Sequence, residues 1–140
     1  MSNERIWYAL KDSAILEQYM TVLLAHSMEY LQLFRMAKER PHSMTNEIVD
    51  KTKKHFNERK EIIKSCEEQV LKWKDEAKSS FEKQEVVRLT QMVETLTQVN
   101  QEILGLADYI SGKTIESILN MDDFELGLKF LAGEITLPKK

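Results

Sequence analysis

The amino-acid sequence predicts an all-α protein: an antiparallel bundle of three long helices followed by a short fourth helical segment, similar to a four-helix bundle. Three long stretches of the 140 residues carry apolar side chains at alternating spacings of three and four, which is the spacing of packed helices. Four Gly and two Pro leave little material for turns, and this favours a few long helices. No stretch shows the strict alternation of apolar and polar residues that is typical of a strand.

The first helix is predicted over residues 3–39. Ser2 or Asn3 can cap its first amides. Pro41 ends it, because the residue before a proline avoids the helical region. Its main apolar stripe is broken in the middle by polar residues and reads Ile15, Val22, His26, Glu29, Leu33, Met36. A second apolar face, offset from the first, predicts contact with more than one neighbour and comprises Ile6, Leu10, Met20, Leu24, Met28, Leu31.

The second and third helices follow after short connections and are also amphipathic. The second is predicted over residues 45–78, after a tight interhelical turn around Pro41. The third opens with a capping box in which Ser79 and Glu82 satisfy each other's amide, and it ends at Gly112, which can adopt the left-handed conformation. The second stripe reads Ile48, Thr52, His55, Arg59, Ile62, Cys66, Val70, Trp73, Ala77, and the third reads Val86, Leu89, Val93, Leu96, Asn100, Ile103, Ala107, Ile110.

The C-terminal part is predicted to hold only short helical pieces. Residues 114–120 form a capped turn or two of helix. A second capping-box pattern at residues 122–125 opens a helix that stops at Gly133. Residues 136–140 are a frayed tail, so that a single domain covers residues 1–135.

Composition excludes several classes of protein. The net charge of −3, with acidic and basic residues interspersed, argues against a dedicated nucleic-acid surface. No apolar run approaches the roughly 20 residues of a membrane span, and no secretory leader precedes the first helix. We therefore expect a cytoplasmic protein without nucleic-acid or membrane partners. The one cysteine, Cys66, cannot form an internal disulfide and is expected to be a small buried hydrophobe.

Antiparallel pairing of the helices predicts that the polar breaks lie at one height in the bundle. Two short hairpins place His26 opposite Arg59, Glu29 opposite His55 or Phe56, and Asn100 within a turn of Arg59. We call these five residues the polar layer. It has two interpretations. Glu29 and Arg59 can form a structural ion pair, with the histidines and Asn100 satisfying the remaining donors. Alternatively, His26, Glu29 and His55 can bind a divalent transition metal.

A ferritin-like or other metal-binding bundle is therefore an alternative function. Glu17, on the second face of the first helix, suits a metal ligand, but the sequence contains no helical Glu-x-x-His motif, and Arg59 would repel a cation. In a second alternative, Arg59 binds a small anion. No hydrolase elbow, zinc-protease motif or complete phosphate-binding loop is present in the sequence. These observations favour a non-enzymatic protein with no cofactor.

The favoured function is an interaction module: an adaptor, chaperone or structural subunit that self-associates or binds a partner protein. A short fourth helix cannot cover the whole of the second face of the first helix. Ile6, Trp7 and Leu10 would then remain exposed, and antiparallel pairing brings Trp73 to the same height. These four residues are the predicted interface of a homodimer.

Overall fold

The structure, a computed structural model, describes residues 7–120 and 123–133. Three long helices pack against one another, which confirms the predicted all-α bundle. They are α1 (Ser13–Glu39), α2 (Asn46–Glu76) and α3 (Ser80–Ile110). Two short helices follow, α4 (Ile115–Leu119) and α5 (Asp123–Leu131). Within the described residues no strand is present, and no helix there combines the length and apolarity needed to cross a bilayer.

Contacts divide the chain into two compact units. Within the described residues, unit one combines residues 7–28 with Glu58–Asn100, and unit two combines Glu29–Asn57 with residues 101–120 and 123–133. The core of unit one contains Met20, Leu23, Ile63, Cys66, Val70, Trp73, Val86, Leu89, Val93 and Leu96. The core of unit two contains Phe34, Ala37, Met44, Val49, Ala107 and Ile110. Cys66 is buried, as expected, and the predicted domain end at residue 135 lies outside the described residues.

α1 begins at Ser13, so the predicted start near residue 3 is wrong. A 3-10 turn at Leu10–Asp12 precedes the helix, and Ala9 before it is extended. The backbone N–H of Tyr8 donates to the side-chain oxygen of Gln69, and its carbonyl accepts from Trp73 Nε1. These bonds hold the Tyr8 backbone to α2 and use the groups that a longer α1 would need for its own first turn. The predicted end at Glu39, ahead of Pro41, is correct.

The face of α1 that enters the core is not the predicted main stripe. Most of that stripe is exposed, including Ile15, Val22, Leu33 and Met36. Of the predicted second face, Met20 and Leu31 are buried, Leu10 and Leu24 are half-buried, and Met28 is exposed. The buried residues of α1 are Met20, Leu23, Ser27, Leu31, Phe34 and Ala37. Two parallel apolar stripes on one helix give the same periodicity, so spacing alone could not decide which one packs inside the chain.

The buried faces of α2 and α3 are closer to the prediction. Every residue of the predicted α3 stripe is buried. In α2, the predicted residues Thr52, Arg59, Cys66, Val70 and Trp73 are buried, whereas three others are displaced by one position. Val49, Phe56 and Ile63 are inside where Ile48, His55 and Ile62 had been expected. At each of these sites an apolar or aromatic side chain directly follows the predicted residue, so the helical period accepts either.

The predicted helix ends are confirmed at both sides of α3. Ser79 N–H donates to Glu82 Oε1 (3.0 Å), and Glu82 N–H donates to Ser79 Oγ (3.1 Å), which completes the capping box. The amides of Ser79 and Lys78 lower the pKa of the Glu82 carboxyl. At the other end Gly112 has a φ of +83°, the left-handed conformation expected after the helix.

α4 contacts the start of α2 within unit two. The amide of Asn46 donates to a carboxylate oxygen of Glu116 (2.8 Å), and the amide of Ile115 donates to the carbonyl of Met44 (3.0 Å). The hydroxyl of the fully buried Thr114, the residue before α4, donates to the side-chain oxygen of Asn46. Glu116 of the short helix therefore satisfies one amide at the start of the long one.

Candidate functional site

Arg59 is the most deeply buried charged member of the predicted polar layer. It is 5% exposed and lies in unit one. Its Nη1 donates to the hydroxyl of Ser27 (2.6 Å), and its Nη2 lies 3.3 Å from Nδ1 of His26. A guanidinium group is only a donor, so Nδ1 of His26 must be the acceptor of this contact. Ser27 and His26 therefore each accept one hydrogen bond from the guanidinium group.

Ser27 was missed in the prediction of the polar layer. It is 2% exposed and occupies a core position of α1 between Leu23 and Leu31. Its neighbour His26 belongs to the adjacent, exposed stripe. The sequence signal was available, since a serine interrupts the offset apolar face of α1, but it becomes visible only when that face is taken as the core.

The other members of the polar layer are placed differently. Asn100 is buried in unit one. His55 and Glu29 are exposed residues of unit two. The ring of His55 stacks on Tyr30 at a centroid distance of 6.2 Å and meets Phe56 edge-on at 5.0 Å. The structure therefore brings His26 and Arg59 together, and it places His55 in an aromatic cluster.

The described residues give the metal hypothesis no preformed site. Across residues 7–120 and 123–133, no group of three or more His, Cys, Asp or Glu side chains is placed to hold a metal ion. The contact from Arg59 also uses Nδ1 of His26, one of the two nitrogens through which an imidazole can bind a metal. Glu17, the further candidate ligand, instead forms an ion pair with Arg88 of α3 (2.5 Å).

The predicted interface residues at the start of the chain pack mostly within the chain. Trp73 is fully buried and its Nε1 donates to the Tyr8 carbonyl (2.8 Å), so its side chain forms no part of a surface. Leu10 is half-buried against the core of unit one. Trp7 is 42% exposed and carries the ammonium group of Lys72 at 5.1 Å from its ring centroid. Ile6 lies outside the described residues.

The sequence prediction did not place on the surface an apolar stripe of α1 that the structure leaves exposed. Ile15 and Val22 are more than 60% exposed, as is Met36, and Tyr19 and Leu33 are close to half exposed. Together with His26 and Glu29 these residues recur at alternating intervals of four and three along one continuous helix. We call the seven residues the α1 stripe; they are Ile15, Tyr19, Val22, His26, Glu29, Leu33 and Met36.

The surroundings of the α1 stripe are unusually poor in charge. No Asp, Glu, Lys or Arg occurs in residues 18–28, although charged residues make up 31% of the chain. The positions that flank the stripe include Gln18, Thr21 and Ala25. Depletion of charge around apolar side chains is typical of the core of a protein–protein interface and not of a solvated helix face.

No protein-family model matches the chain, and neither a curated protein nor a solved structure matches it. The functional argument therefore depends on the geometry of the side chains described above.

Proposed function

We propose that this protein is a non-enzymatic interaction module that self-associates, and that its binding surface is the α1 stripe. The observation that carries the proposal is the repeated exposure of large apolar side chains, Ile15, Val22, Leu33 and Met36 among them, at the spacing of a helix-packing seam. A surface of this kind is buried when a partner helix lies along it.

The position of the surface differs from that of the predicted interface. The predicted patch included Trp73, whose side chain is buried, and Leu10, which already packs on the core of unit one. The α1 stripe uses the same helix but another of its faces. Self-association through the first helix therefore remains the proposal. The proposed contact now runs along the helix and is no longer confined to its N-terminal end.

The polar groups support a structural role within this function. The guanidinium group of Arg59 is held by Ser27 and His26 in a nearly inaccessible position. A buried cation that donates hydrogen bonds to a neighbouring helix favours one relative placement of the two helices. This arrangement favours a scaffold over the anion-binding alternative, which would require an accessible Arg59.

Sedimentation equilibrium of the purified protein, over a wide range of concentration, tests the proposal. We expect a reversible oligomer whose affinity falls more than about tenfold in Val22→Glu, because a charge would be buried in an apolar contact. Val87→Glu is the matched control, since Val87 is similarly exposed on α3 and lies away from the stripe in sequence. A wild-type monomer at all concentrations, or equal weakening by both substitutions, would refute the proposal. Far-ultraviolet circular dichroism verifies that both variants remain helical.

A further inference from the structure

We infer that the occupant of the α1 stripe is α1 of a second copy of the chain, running antiparallel, with His26 of each copy opposite Glu29 of the other. This inference rests on the proposed function and specifies its partner and geometry. It follows from the heptad register of the stripe, from the hydrogen bond between Arg59 and His26, and from the length of the exposed surface.

The spacing of the α1 stripe is that of a coiled-coil seam. In heptad terms Tyr19, His26 and Leu33 occupy a positions, and Ile15, Val22, Glu29 and Met36 occupy d positions. The apolar residues lie toward both ends of the stripe, and the two polar residues lie side by side at its middle. A partner must therefore offer apolar side chains at the ends and polar complements at the centre.

An antiparallel second copy meets both requirements. Antiparallel helices place a positions opposite d positions. In the register that sets Tyr19 opposite Met36 of the second copy, Val22 lies opposite Leu33 and His26 opposite Glu29. The two-fold axis repeats each of these contacts, so that all seam positions from 19 to 36 find chemically matched partners.

The other arrangements of two copies match less well. A parallel pair would set Glu29 against Glu29 of the second copy, and like charges directly opposite each other are unfavourable. The two antiparallel registers that are shifted by one heptad set Glu29 against Tyr19 or against Leu33, and neither brings Glu29 to His26. Avoidance of like charges and the match of a donor with an acceptor therefore select the register with the His26–Glu29 contacts.

The contact between His26 and Arg59 determines which nitrogen of the imidazole carries the proton. Because Nη2 of Arg59 is a donor 3.3 Å from Nδ1, that nitrogen accepts, and the ring proton of the neutral imidazole is on Nε2. An Nε2–H group on an exposed residue is a suitable donor to a carboxylate. Arg59 is in this reading a positioning residue, which sets the tautomer that Glu29 of the partner subunit would bind.

The length of the α1 stripe favours a second copy of the chain over α5 as its occupant. α5 has exposed apolar side chains, including Phe124, Leu128 and Leu131, but it contains only 9 residues and is about 14 Å long. The stripe from Ile15 to Met36 extends over about 32 Å of helix. α5 would cover less than half of it, whereas α1 of a second copy has the matching length by symmetry.

A cysteine cross-linking experiment tests the orientation. In a Cys66→Ala background, Tyr19→Cys and Met36→Cys are made as separate, differently tagged proteins, both at exposed positions. Under mild oxidation we expect a disulfide between the two variants when they are mixed and none within either variant alone, because a disulfide requires Cα atoms about 4.4–6.8 Å apart. Disulfides within each variant alone would overturn the antiparallel arrangement.

A charge exchange tests the central contact without cysteines. His26→Glu should weaken association more than about tenfold, because it sets two carboxylates opposite each other, and His26→Glu combined with Glu29→His should restore most of the affinity. A double variant as weak as the single one would refute the His26–Glu29 contact. Absence of any association in the unmodified protein refutes the proposed function itself, whereas association with the wrong cross-links refutes only this geometry.

Discussion

The attachment of the Tyr8 backbone to α2 can be tested by one substitution, Gln69→Glu. Gln69 is 5% exposed, and its side-chain amide binds Tyr8 at both backbone groups. Oε1 accepts from the Tyr8 amide at 2.9 Å, and Nε2 lies 3.3 Å from the Tyr8 carbonyl oxygen, which also accepts from Trp73. The substitution keeps the acceptor and replaces the donor by an acceptor of nearly the same size.

The expected loss of stability has two parts. The missing donor costs about 1 kcal/mol, because one partly buried hydrogen bond is lost while Trp73 still satisfies the carbonyl. A carboxylate oxygen facing that carbonyl in a desolvated position costs about 1–3 kcal/mol more. We therefore expect the free energy of unfolding at pH 7 to fall by about 2–4 kcal/mol.

The stability of Gln69→Glu should also depend on pH, in a direction that follows from the pKa of the new carboxyl. Burial beside a carbonyl oxygen should raise the pKa of the new carboxyl in the folded state above its unfolded value. The folded variant then binds more protons than the unfolded one, and its stability increases as the pH falls. A protonated carboxyl can also donate to the Tyr8 carbonyl, so the difference from the unmodified protein should shrink between pH 7 and pH 5.

Urea denaturation followed by circular dichroism at both pH values measures these effects. Gln98→Glu, at an exposed position of α3, is the matched control and should change stability by less than about 0.5 kcal/mol. If Gln69→Glu were as stable as the control at pH 7, or equally destabilised at both pH values, the bonding assigned to Tyr8 would be incorrect.

Four further predictions concern the helix ends and the buried cation. Ser79→Ala should reduce the free energy of unfolding by about 1 kcal/mol in urea titrations, since it removes the cap of α3. The pKa of the Glu82 carboxyl is lowered in the folded state, so its contribution to stability is present above the unfolded pKa and is lost as the pH falls through the folded pKa. Between pH 7 and pH 3, Glu82→Gln should therefore lose less stability than the unmodified protein. Gly112→Ala should lower the melting temperature, because alanine is strained at a φ of +83°. Phosphate or sulfate should shift the melting temperatures of the unmodified protein and of Arg59→Met equally, because Ser27 and His26 already bind the guanidinium group.

The parts of the fold that sequence predicted well are those that local chemistry determines. The capping box at Ser79 and Glu82 and the left-handed Gly112 depend on residues within a few positions, and both were located correctly. The start of α1 was predicted incorrectly, because it depends on Gln69, which is more than sixty residues away in the chain. A long-range hydrogen bond to a backbone leaves no periodic signal in the segment that it reshapes.

The misassigned face of α1 has a different cause, which bears on function. Periodicity records which residues avoid water in the final assembly, and it does not distinguish burial inside the chain from burial against a partner. α1 has two such faces: one packs in the cores of the two units, and the other, from Ile15 to Met36, is exposed. A helix that only had to pack within this chain would need apolar residues on its core face alone. The α1 stripe keeps a seam pattern although most of its apolar side chains are exposed, and this is the observation that supports the proposed self-association.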